Sequence, residues 1–231
     1  MATWSNYADA MVSLIMPRCC PGCDRPLNST ERHLCMLCVG DLPYTHAMSD
    51  ARNPVARLFW GRVELGGAAS LLRFQSGGRV QHMLHRLKYK GDRRIGVGLG
   101  RMMGEAAKDS PLFAGVDAVM PVPLHRRKER MRGYNQAQLL VNGLREVWPL
   151  QPAGGSLLRV VHTATQTQRG RLERWRNVRT AFKVDDNTAP TGAHVLLIDD
   201  VVTTGATLES CAQALLALPG MRVSVLTAAH A

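Results

Sequence analysis

The sequence predicts an α/β protein with a mostly parallel sheet flanked by helices and a small metal-binding domain in front of it. Apolar runs without polar alternation, such as HVLLID and MRVSVLTAA, are interleaved with helical patterns, which is typical of parallel strands covered on both faces. Five of the six cysteines fall between residues 19 and 38. With 231 residues, 45% of them hydrophobic, the chain is long enough to bury one main core.

The amino-terminal quarter predicts a helix, a metal site and a connector. Apolar residues at helical spacing predict a helix over 3–16, and Pro17 ends it. The cysteines follow, and a polar connector runs to about residue 60. We therefore divide the chain into an amino-terminal helix (1–17), a zinc ribbon with connector (18–60) and a main domain (61–231).

Strand and helix patterns alternate through the main domain. A strand-like run begins at residue 63, the turn SGG precedes a basic helix over 79–89, and a second helix is predicted over 95–107 although four glycines weaken it. The later elements are the strand DAVMPVP, the loop HRRKERMRGYN, the helix QAQLLVNGLREV, the strands SLLRVV, AFKV and HVLLID, the helix GATLESCAQALLAL and the strand MRVSVLTAA. Cys211, at a helical position with Leu208 and Leu215, is predicted to lie in the core.

The chain is strongly basic, and the excess is local. The net charge is +11, and the segments 79–94, 125–132 and 169–179 carry +5, +4 and +4, so the rest is nearly neutral. Such clustering favours an anionic partner, namely nucleic acid, nucleotide phosphates or a membrane surface, while a solvated basic surface is the alternative for any single run.

Membrane and secreted classes are disfavoured. No apolar run approaches the roughly 20 residues that a spanning helix needs. The opening AMVSLIM lacks a basic segment before it and a small-residue cleavage site after it, so we do not interpret it as a signal peptide. Paired cysteines also suit a metal in a reducing compartment, and we expect a cytoplasmic protein.

Two C-x2-C pairs predict a structural zinc site. Cys20 and Cys23 form one pair and Cys35 and Cys38 the other, and four thiolates from two short knuckles satisfy tetrahedral zinc. Cys19 is a neighbour that could replace Cys20, and His33 is close enough in sequence to leave the ligand set slightly open. A closed four-ligand site contributes folding stability rather than catalysis.

The stretch VLLIDDVVTTGAT at 195–207 predicts a ribose-phosphate site. Asp199 and Asp200 fall at the end of a buried strand, where ligands of open parallel sheets bind, and the next loop enters a helix whose N–H groups attract phosphate. Two carboxylates would repel phosphate, so ribose hydroxyls are their natural ligands. A capping aspartate followed by a threonine-rich turn is the structural alternative.

This stretch resembles the motif that binds phosphoribosyl pyrophosphate (PRPP) in type I phosphoribosyltransferases, and the chain as a whole resembles the ComF family, which is linked to competence and the use of external DNA. The matching segments span about 19–229 and occur in the family's order: CPGC…LCMLC, LHRLKYKGD, PVPLHRRKERMRGYNQ, TQTQRGRLERWRNVRTAF and VLLIDDVVTTGATL.

The resemblance implies a phosphoribosyltransferase-like fold with an amino-terminal zinc ribbon, and it implies the following site residues. Asp199 and Asp200 would meet the ribose diol, and the phosphate would be held by Thr203, Thr204, Gly205, Ala206 and Thr207. The pyrophosphate, with Mg2+, would lie at Pro121, Val122 and Pro123. Two further polar patterns match the family: Arg130, Arg132, Gly133, Asn135 and Gln136, and then Gln166, Arg171 and Asn177 on a loop that closes over PRPP.

Two hypotheses about function remain. The first is a PRPP-dependent transferase, in which positive charge near the departing pyrophosphate would come from Arg126, Arg127, Lys128 and Arg171, although each could equally be a surface residue. The second is a single-stranded-DNA-binding protein that uses the fold as a nucleotide sensor. A competence helicase or other DNA-processing protein is the expected partner. No nucleobase pocket is recognisable.

Aromatic side chains offer a weaker signal for nucleic-acid binding. The residues Trp60, Tyr89, Tyr134 and Trp175 lie within or near basic segments and could stack on bases, whereas ordinary packing is the alternative.

Overall fold

The computed structural model of the protein describes residues 18–153, 157–159, 182–184 and 192–231. The predicted amino-terminal helix and the basic segment 169–179 lie outside the described residues. The division of the chain at residues 17 and 60 therefore stays a prediction.

Seven α-helices occur among the described residues: α1 (Met36–Gly40), α2 (Pro54–Arg57), α3 (Arg79–Tyr89), α4 (Arg93–Ala107), α5 (Arg126–Arg132), α6 (Gln136–Arg145) and α7 (Ala206–Leu216). Short 3-10 turns span Ala47–Ser49 and Pro111–Phe113. The helices predicted at 79–89, 95–107, 136–147 and 205–218 are thus confirmed, with ends that shift by one or two residues.

The strands are β1 (Ala68–Arg73), β2 (Ala118–Pro121), β3 (Gln151–Pro152), β4 (Leu157–Arg159), β5 (Phe182–Val184), β6 (His194–Val202) and β7 (Arg222–His230). Five of them form one parallel sheet in the order β1-β7-β6-β2-β3. The predicted parallel α/β architecture is confirmed.

Two apolar runs do not join this sheet. SLLRVV and AFKV contribute β4 and β5, which pair with each other in an antiparallel ribbon. The fifth strand of the parallel sheet is instead β3, whose two exposed residues carry no apolar pattern. Apolar character identified strands correctly here, but strand pairing depends on tertiary contacts that the pattern does not encode.

The segment predicted as a loop at 125–135 contains a helix, so that prediction was wrong. Its arginines and lysine are good helix formers, and α5 has a signal at each end. His125 Nδ1 accepts a hydrogen bond from the Arg127 N–H at 3.2 Å, and Gly133 ends the helix with a φ of 76°.

A hydrophobic core lies on each face of the sheet, and β6 contributes side chains to both cores. Leu196 and Ile198 pack with residues of α3, α4 and α6. Val195 and Leu197 pack with residues of α2, α7 and the β4–β5 ribbon. Because side chains alternate along a strand, neighbouring residues of β6 enter different cores.

Candidate functional site

The four paired cysteines come together at one point. The sulfur atoms of Cys20, Cys23, Cys35 and Cys38 all lie within 4.8 Å of one another. The Cys23 and Cys35 sulfurs are 3.6 Å apart, close to the roughly 3.8 Å edge of a tetrahedron with metal–sulfur bonds of about 2.3 Å. The site therefore fits one tetrahedral ion with four thiolate ligands.

The other two candidate ligands lie elsewhere. Cys19 forms an isolated backbone bridge with Pro26 and is not part of the cluster. His33 packs against Gly98 of α4, where a Cβ would approach the His33 Cβ to 2.6 Å. The ligand set that the sequence left open is thus resolved in favour of Cys20.

The thiols differ in their electrostatic environment. Burial acts to raise the pKa of Cys20, but hydrogen bonds from the backbone N–H groups of Cys35 and Gly22 outweigh it and lower the pKa to about 7. Burial and the neighbouring thiols raise the pKa of Cys38. Four thiols crowded together cannot all ionise without a cation, which is the situation that metal binding relieves.

The predicted ligand loops meet at the carboxyl edge of the parallel sheet. β2 and β6 are hydrogen-bonded neighbours, and Pro121 is in register with Ile198. The Val122 N–H donates to the Ile198 carbonyl at 2.9 Å, so the PVP segment lies beside the strand end that carries the acids. The two loops meet there because β2 and β6 are parallel neighbours, so their carboxyl ends lie side by side.

The acidic pair lies inside β6 and not beyond it. Asp199 is in register with Thr227, and β6 continues to Val202 because β7 offers partners as far as His230. The Asp200 N–H donates to Asp199 Oδ1 at 2.8 Å. Asp200 is 9% exposed, so it is a buried carboxylate that needs a partner.

That partner is Lys88, a residue that we did not predict. The Lys88 Nζ lies 2.7 Å from Asp200 Oδ2, and the two side chains are 25% and 12% exposed. Lys88 belongs to the motif segment LHRLKYKGD, so the signal was present, but a lysine within a basic helix does not reveal by sequence which acid it meets.

The loop after β6 forms a small pocket against the start of α7. Asp199 and residues 201–208 line about 60 Å3, roughly twice the volume of a water molecule in the liquid. Gly205, with a φ of 77°, is the residue before the helix and makes no side-chain cap bond. The residue at the N-cap position of α7 is therefore a glycine and not an aspartate. Thr203, Thr204 and Thr207 are exposed around the pocket.

A support for this loop was also missed by sequence reasoning. Arg62 Nη1 donates to the Thr204 carbonyl at 2.9 Å, and the same guanidinium is paired with Glu209 in the first turn of α7. Glu209 alone would disfavour an anion at this helix end, and Arg62 neutralises it. No sequence signal connects Arg62 to a loop more than 140 residues away.

Among the motif residues after the PVP segment, Asn135 holds that segment in place. Asn135 caps α6 through the Ala137 N–H at 3.0 Å, and its Nδ2 donates to the Val122 carbonyl at 3.0 Å. Gln136 is buried at the start of α6. Arg126 and Arg127 open α5 and are exposed, as are Lys128 and Arg130. Arg171, Gln166 and Asn177 lie outside the described residues.

A basic groove lies between Asp24, which directly follows the first cysteine pair, and the turn between α3 and α4. Its volume is about 670 Å3, and its lining residues are Asp24, His82, Arg86, Lys90, Gly91, Asp92, Arg93 and Arg94. Arg86 bridges the carboxylates of Asp24 and Asp92. Four permanent cations against two acids leave the groove positive.

Two of the candidate aromatic residues are stacked beside this groove. Tyr89 is 64% exposed, with the Arg132 guanidinium 5.4 Å from its ring centroid and the His85 ring at 4.9 Å. Tyr134 is only partly exposed and carries Arg93 over its ring at 4.9 Å. Trp60 is exposed, with Arg57 6.0 Å from its ring, and Trp175 lies outside the described residues.

Within the ranges 18–153, 157–159, 182–184 and 192–231, no helix combines the length and the apolar character that crossing a membrane requires.

Known proteins similar to this chain carry competence and DNA-utilisation names. The chain is 32% identical over 137 residues to DNA utilization protein YhgH of Escherichia coli, and 33% identical over 138 residues to competence protein F of Haemophilus influenzae. Each match covers 58% of this chain and 60% of the relative, so the chain spans about 60% of the length of these proteins.

A longer match extends over most of the chain. The chain is 28% identical over 202 residues to competence protein ComFC of Bacillus subtilis, and this match covers 85% of the chain and 77% of that protein. No protein-family model matches the sequence. The chain is thus a homologue of the competence proteins F and ComFC and of DNA utilization protein YhgH, and the ComF resemblance of its motifs is confirmed.

Proposed function

We propose that this protein binds PRPP with Mg2+ at the carboxyl edge of its sheet and acts as a phosphoribosyltransferase-like protein in the use of external DNA. The observation that carries the proposal is the juxtaposition of a carboxylate and a small pocket at the start of a helix. Asp199 lines the same 60 Å3 pocket as the loop 203–207 and the first turn of α7.

Each part of the ligand has a chemically suitable neighbour in this proposal. The 5'-phosphate would accept hydrogen bonds from the first N–H groups of α7 and from the Thr203, Thr204 and Thr207 hydroxyls. Ribose hydroxyls would donate to the acidic pair. The pyrophosphate would lie toward Pro121, Val122 and Pro123, because β2 is the next strand along the sheet edge. Mg2+ would bind the phosphate oxygens and keep several waters.

The reaction that such a site supports is transfer of the phosphoribosyl group. The bond from ribose C1 to the pyrophosphate oxygen breaks with its electron pair, and an acceptor donates the pair that forms the new bond to C1. Pyrophosphate carries away the developing negative charge, so nearby cations favour the step. We propose Arg126, Arg127 and Arg171 for this role. The acceptor is a nucleobase or a group derived from nucleic acid.

We further propose that the four-cysteine cluster holds structural zinc. The thiolate set and its tetrahedral spacing suit zinc, and a closed site of four cysteines leaves no position for substrate. The relatives named for competence and DNA utilisation support a role for this protein in natural transformation. We propose a competence helicase or another DNA-processing protein as its partner.

Calorimetric titration of PRPP with Mg2+ into the zinc-loaded protein tests the ligand site. We expect binding by the wild type, loss of binding in an Asp199→Asn/Asp200→Asn variant, and wild-type binding in Asp109→Asn, which changes an exposed aspartate just beyond the carboxyl end of α4. Absence of binding by folded wild type would overturn the proposal. Release of labelled pyrophosphate with a panel of bases and oligonucleotides then tests transfer.

A second candidate function, binding of single-stranded DNA, is favoured by the basic groove beside Tyr89. Lys90 and Arg93 offer cations to successive phosphates, and the exposed ring of Tyr89 offers a face for a base. This function is compatible with PRPP binding, because the groove and the α7 pocket share no lining residue.

Fluorescence anisotropy with an oligothymidine tests the second candidate. We expect affinity to fall steeply with salt, and a Lys90→Gln/Arg93→Gln variant to lower the slope of log K against log salt by about 0.7 for each phosphate that the protein no longer neutralises. Lys108→Gln, an exposed lysine paired with Glu105, is the matched control. Binding that does not respond to salt would overturn this candidate.

A further inference from the structure

The two neighbouring aspartates of β6 face different surroundings. Leu196 and Ile198 point into the core beneath α3, α4 and α6, and Asp200 follows them on the same face of the sheet. Val195 and Leu197 point into the core beneath α7, and Asp199 follows them on that opposite face of the sheet. The contacts agree with the pleat, since Asp199 lines the loop pocket and Asp200 meets Lys88 of α3.

Lys88 is held in place by the packing of the carboxyl end of α3. Leu84 and Leu87 on the same helix are buried in the core. The Tyr134 hydroxyl donates to the Leu87 carbonyl, which fixes the last turn of α3 to the segment that precedes α6. An ammonium with a quarter of its side chain exposed is therefore delivered to Asp200 by a rigid element and not by a freely moving arm.

The charge balance of the site depends on this pair. PRPP is a polyanion, and two uncompensated carboxylates at its binding edge would repel it. Asp200 is mostly removed from water, so its negative charge is poorly screened and acts strongly on nearby groups. Lys88 cancels that charge and leaves Asp199 as the acid that faces the phosphate loop.

We propose that the acidic pair is divided in function, and that Lys88 is a positioning residue for it. Asp199 accepts the ribose hydroxyls, whereas Asp200 serves as the counter-ion of Lys88, which neutralises it and fixes its carboxylate at the wall of the site. This inference rests on the proposed PRPP site. In it, Lys88 neutralises Asp200 and so allows the site to bind a highly charged anion.

A double-mutant cycle tests this division. PRPP with Mg2+ is titrated into the wild type, Lys88→Met, Asp200→Asn and the Lys88→Met/Asp200→Asn double variant. We expect Lys88→Met to weaken binding about tenfold or more, because it leaves a buried carboxylate unpaired beside a polyanion. The double variant should bind more tightly than Lys88→Met, because the unpaired charge is gone. Asp199→Asn should lose more affinity than Asp200→Asn.

Matched controls separate the possible causes. Lys108→Met removes a lysine whose Nζ lies 2.6 Å from Glu105 on α4, and we expect wild-type binding. A double variant as weak as Lys88→Met would overturn the inference, since the lysine would then contact the ligand directly. Equal losses for Asp199→Asn and Asp200→Asn would overturn the division of the pair.

A stability measurement distinguishes failure of this inference from failure of the PRPP proposal. Urea unfolding of the same four proteins reports the coupling between Lys88 and Asp200 without any ligand, and we expect non-additive losses. No PRPP binding by wild type would overturn the proposed function and the ligand role together. Additive unfolding effects, with PRPP still bound by wild type, would overturn the Lys88 inference alone.

Discussion

Gly205 shows how one residue shapes the candidate site. It connects β6 to α7 with a φ of 77°, a conformation that costs L-residues about 1 to 2 kcal/mol. A Cβ at this position would also approach Phe59 Cε1 to 3.0 Å. The glycine therefore lets the loop turn sharply and lets Phe59 pack beneath it, and both features keep the threonines around the pocket.

Substitution of Gly205 should destabilise the protein more than substitution of an open glycine. Gly61 has a φ of 70° and nothing within 4 Å of its Cβ position, so Gly61→Ala measures the conformational cost alone, about 1 kcal/mol. We expect a larger loss in the free energy of unfolding for Gly205→Ala, measured by urea denaturation. Equal losses would contradict the contact with Phe59.

His194 illustrates a buried titratable residue with a structural role. Its Nδ1 donates to the Gly115 carbonyl at 3.1 Å, and its Nε2 lies 2.8 Å from the Ser224 hydroxyl, which donates to it when the ring is neutral. Burial lowers its pKa, and burial likewise lowers the pKa of His33 and His230. All three histidines thus favour the neutral form in the folded chain.

The stability of the protein should decline in acid because of these histidines. The unfolded chain takes up protons as the pH falls through about 6.5, while the folded chain resists them, so stability is present above that pH and is lost below it. We expect the urea midpoint to fall between pH 7.5 and 5.5, and His194→Gln to reduce that slope. An unchanged slope in the variant would contradict the assignment.

At the level of elements, the glycines of α4 serve helix packing. A Cβ on Gly100 would lie 2.0 Å from the Leu140 carbonyl oxygen of α6, and a Cβ on Gly143 of α6 would lie 1.9 Å from the Val97 oxygen of α4. The two backbones therefore approach as closely as glycine permits. Three of the four glycines that weakened the helix prediction at 95–107, namely Gly96, Gly100 and Gly104, let α4 dock on α6, whereas Gly98 faces His33.

Alanine at this contact should be strongly destabilising although it raises helix propensity. We expect Gly100→Ala to lower the free energy of unfolding by about 3 kcal/mol or more, because backbone atoms cannot move aside as a flexible side chain can. Gly40→Ala, at the end of α1 with nothing within 4 Å, should change stability by less than about 1 kcal/mol. Similar effects for the two variants would contradict this packing role.

Across the whole molecule, the cysteine cluster is continuous with the main core. Cys20, Cys35 and Cys38 are buried in the same cluster of apolar residues as Leu87 of α3 and Leu99 of α4. Asp24, directly after the first knuckle, adds an ion pair with Arg86 of α3. Metal in the cluster would therefore stabilise the helical layer on this face of the sheet as well as its own loops.

Loss of the metal should therefore lower the stability of the main domain as well as that of the zinc ribbon. We expect about one zinc ion per chain in the wild type and in Cys19→Ser, and none in Cys20→Ser, measured by elemental analysis of purified protein. The urea midpoint should fall for Cys20→Ser and on chelation, because binding energy of the metal is folding energy. Full zinc retention by Cys20→Ser would contradict the ligand set.

Local chemistry explains what the sequence by itself determined. Apolar runs predicted β6 and β7, helical spacing predicted α3, α6 and α7, and C-x2-C spacing predicted the four-cysteine cluster. The order of the motifs identified the relatives. The signals for strands, helices and cysteine knuckles are short-range, since each depends on residues close together in the sequence, whereas the order of the motifs spans about 19–229.

Tertiary contacts decided the rest. The sequence did not reveal that β3 would complete the sheet or that β4 would pair with β5. It predicted Cys20 as a ligand but left Cys19 as an alternative, and the folded cluster excludes that alternative. The sequence predicted one role for Asp199 and Asp200 together. The pleat of β6 and the contact with Lys88 give the two carboxylates different surroundings. The physical reason is the same in each case: the deciding partner lies far along the chain, and its position is set by how the layers pack.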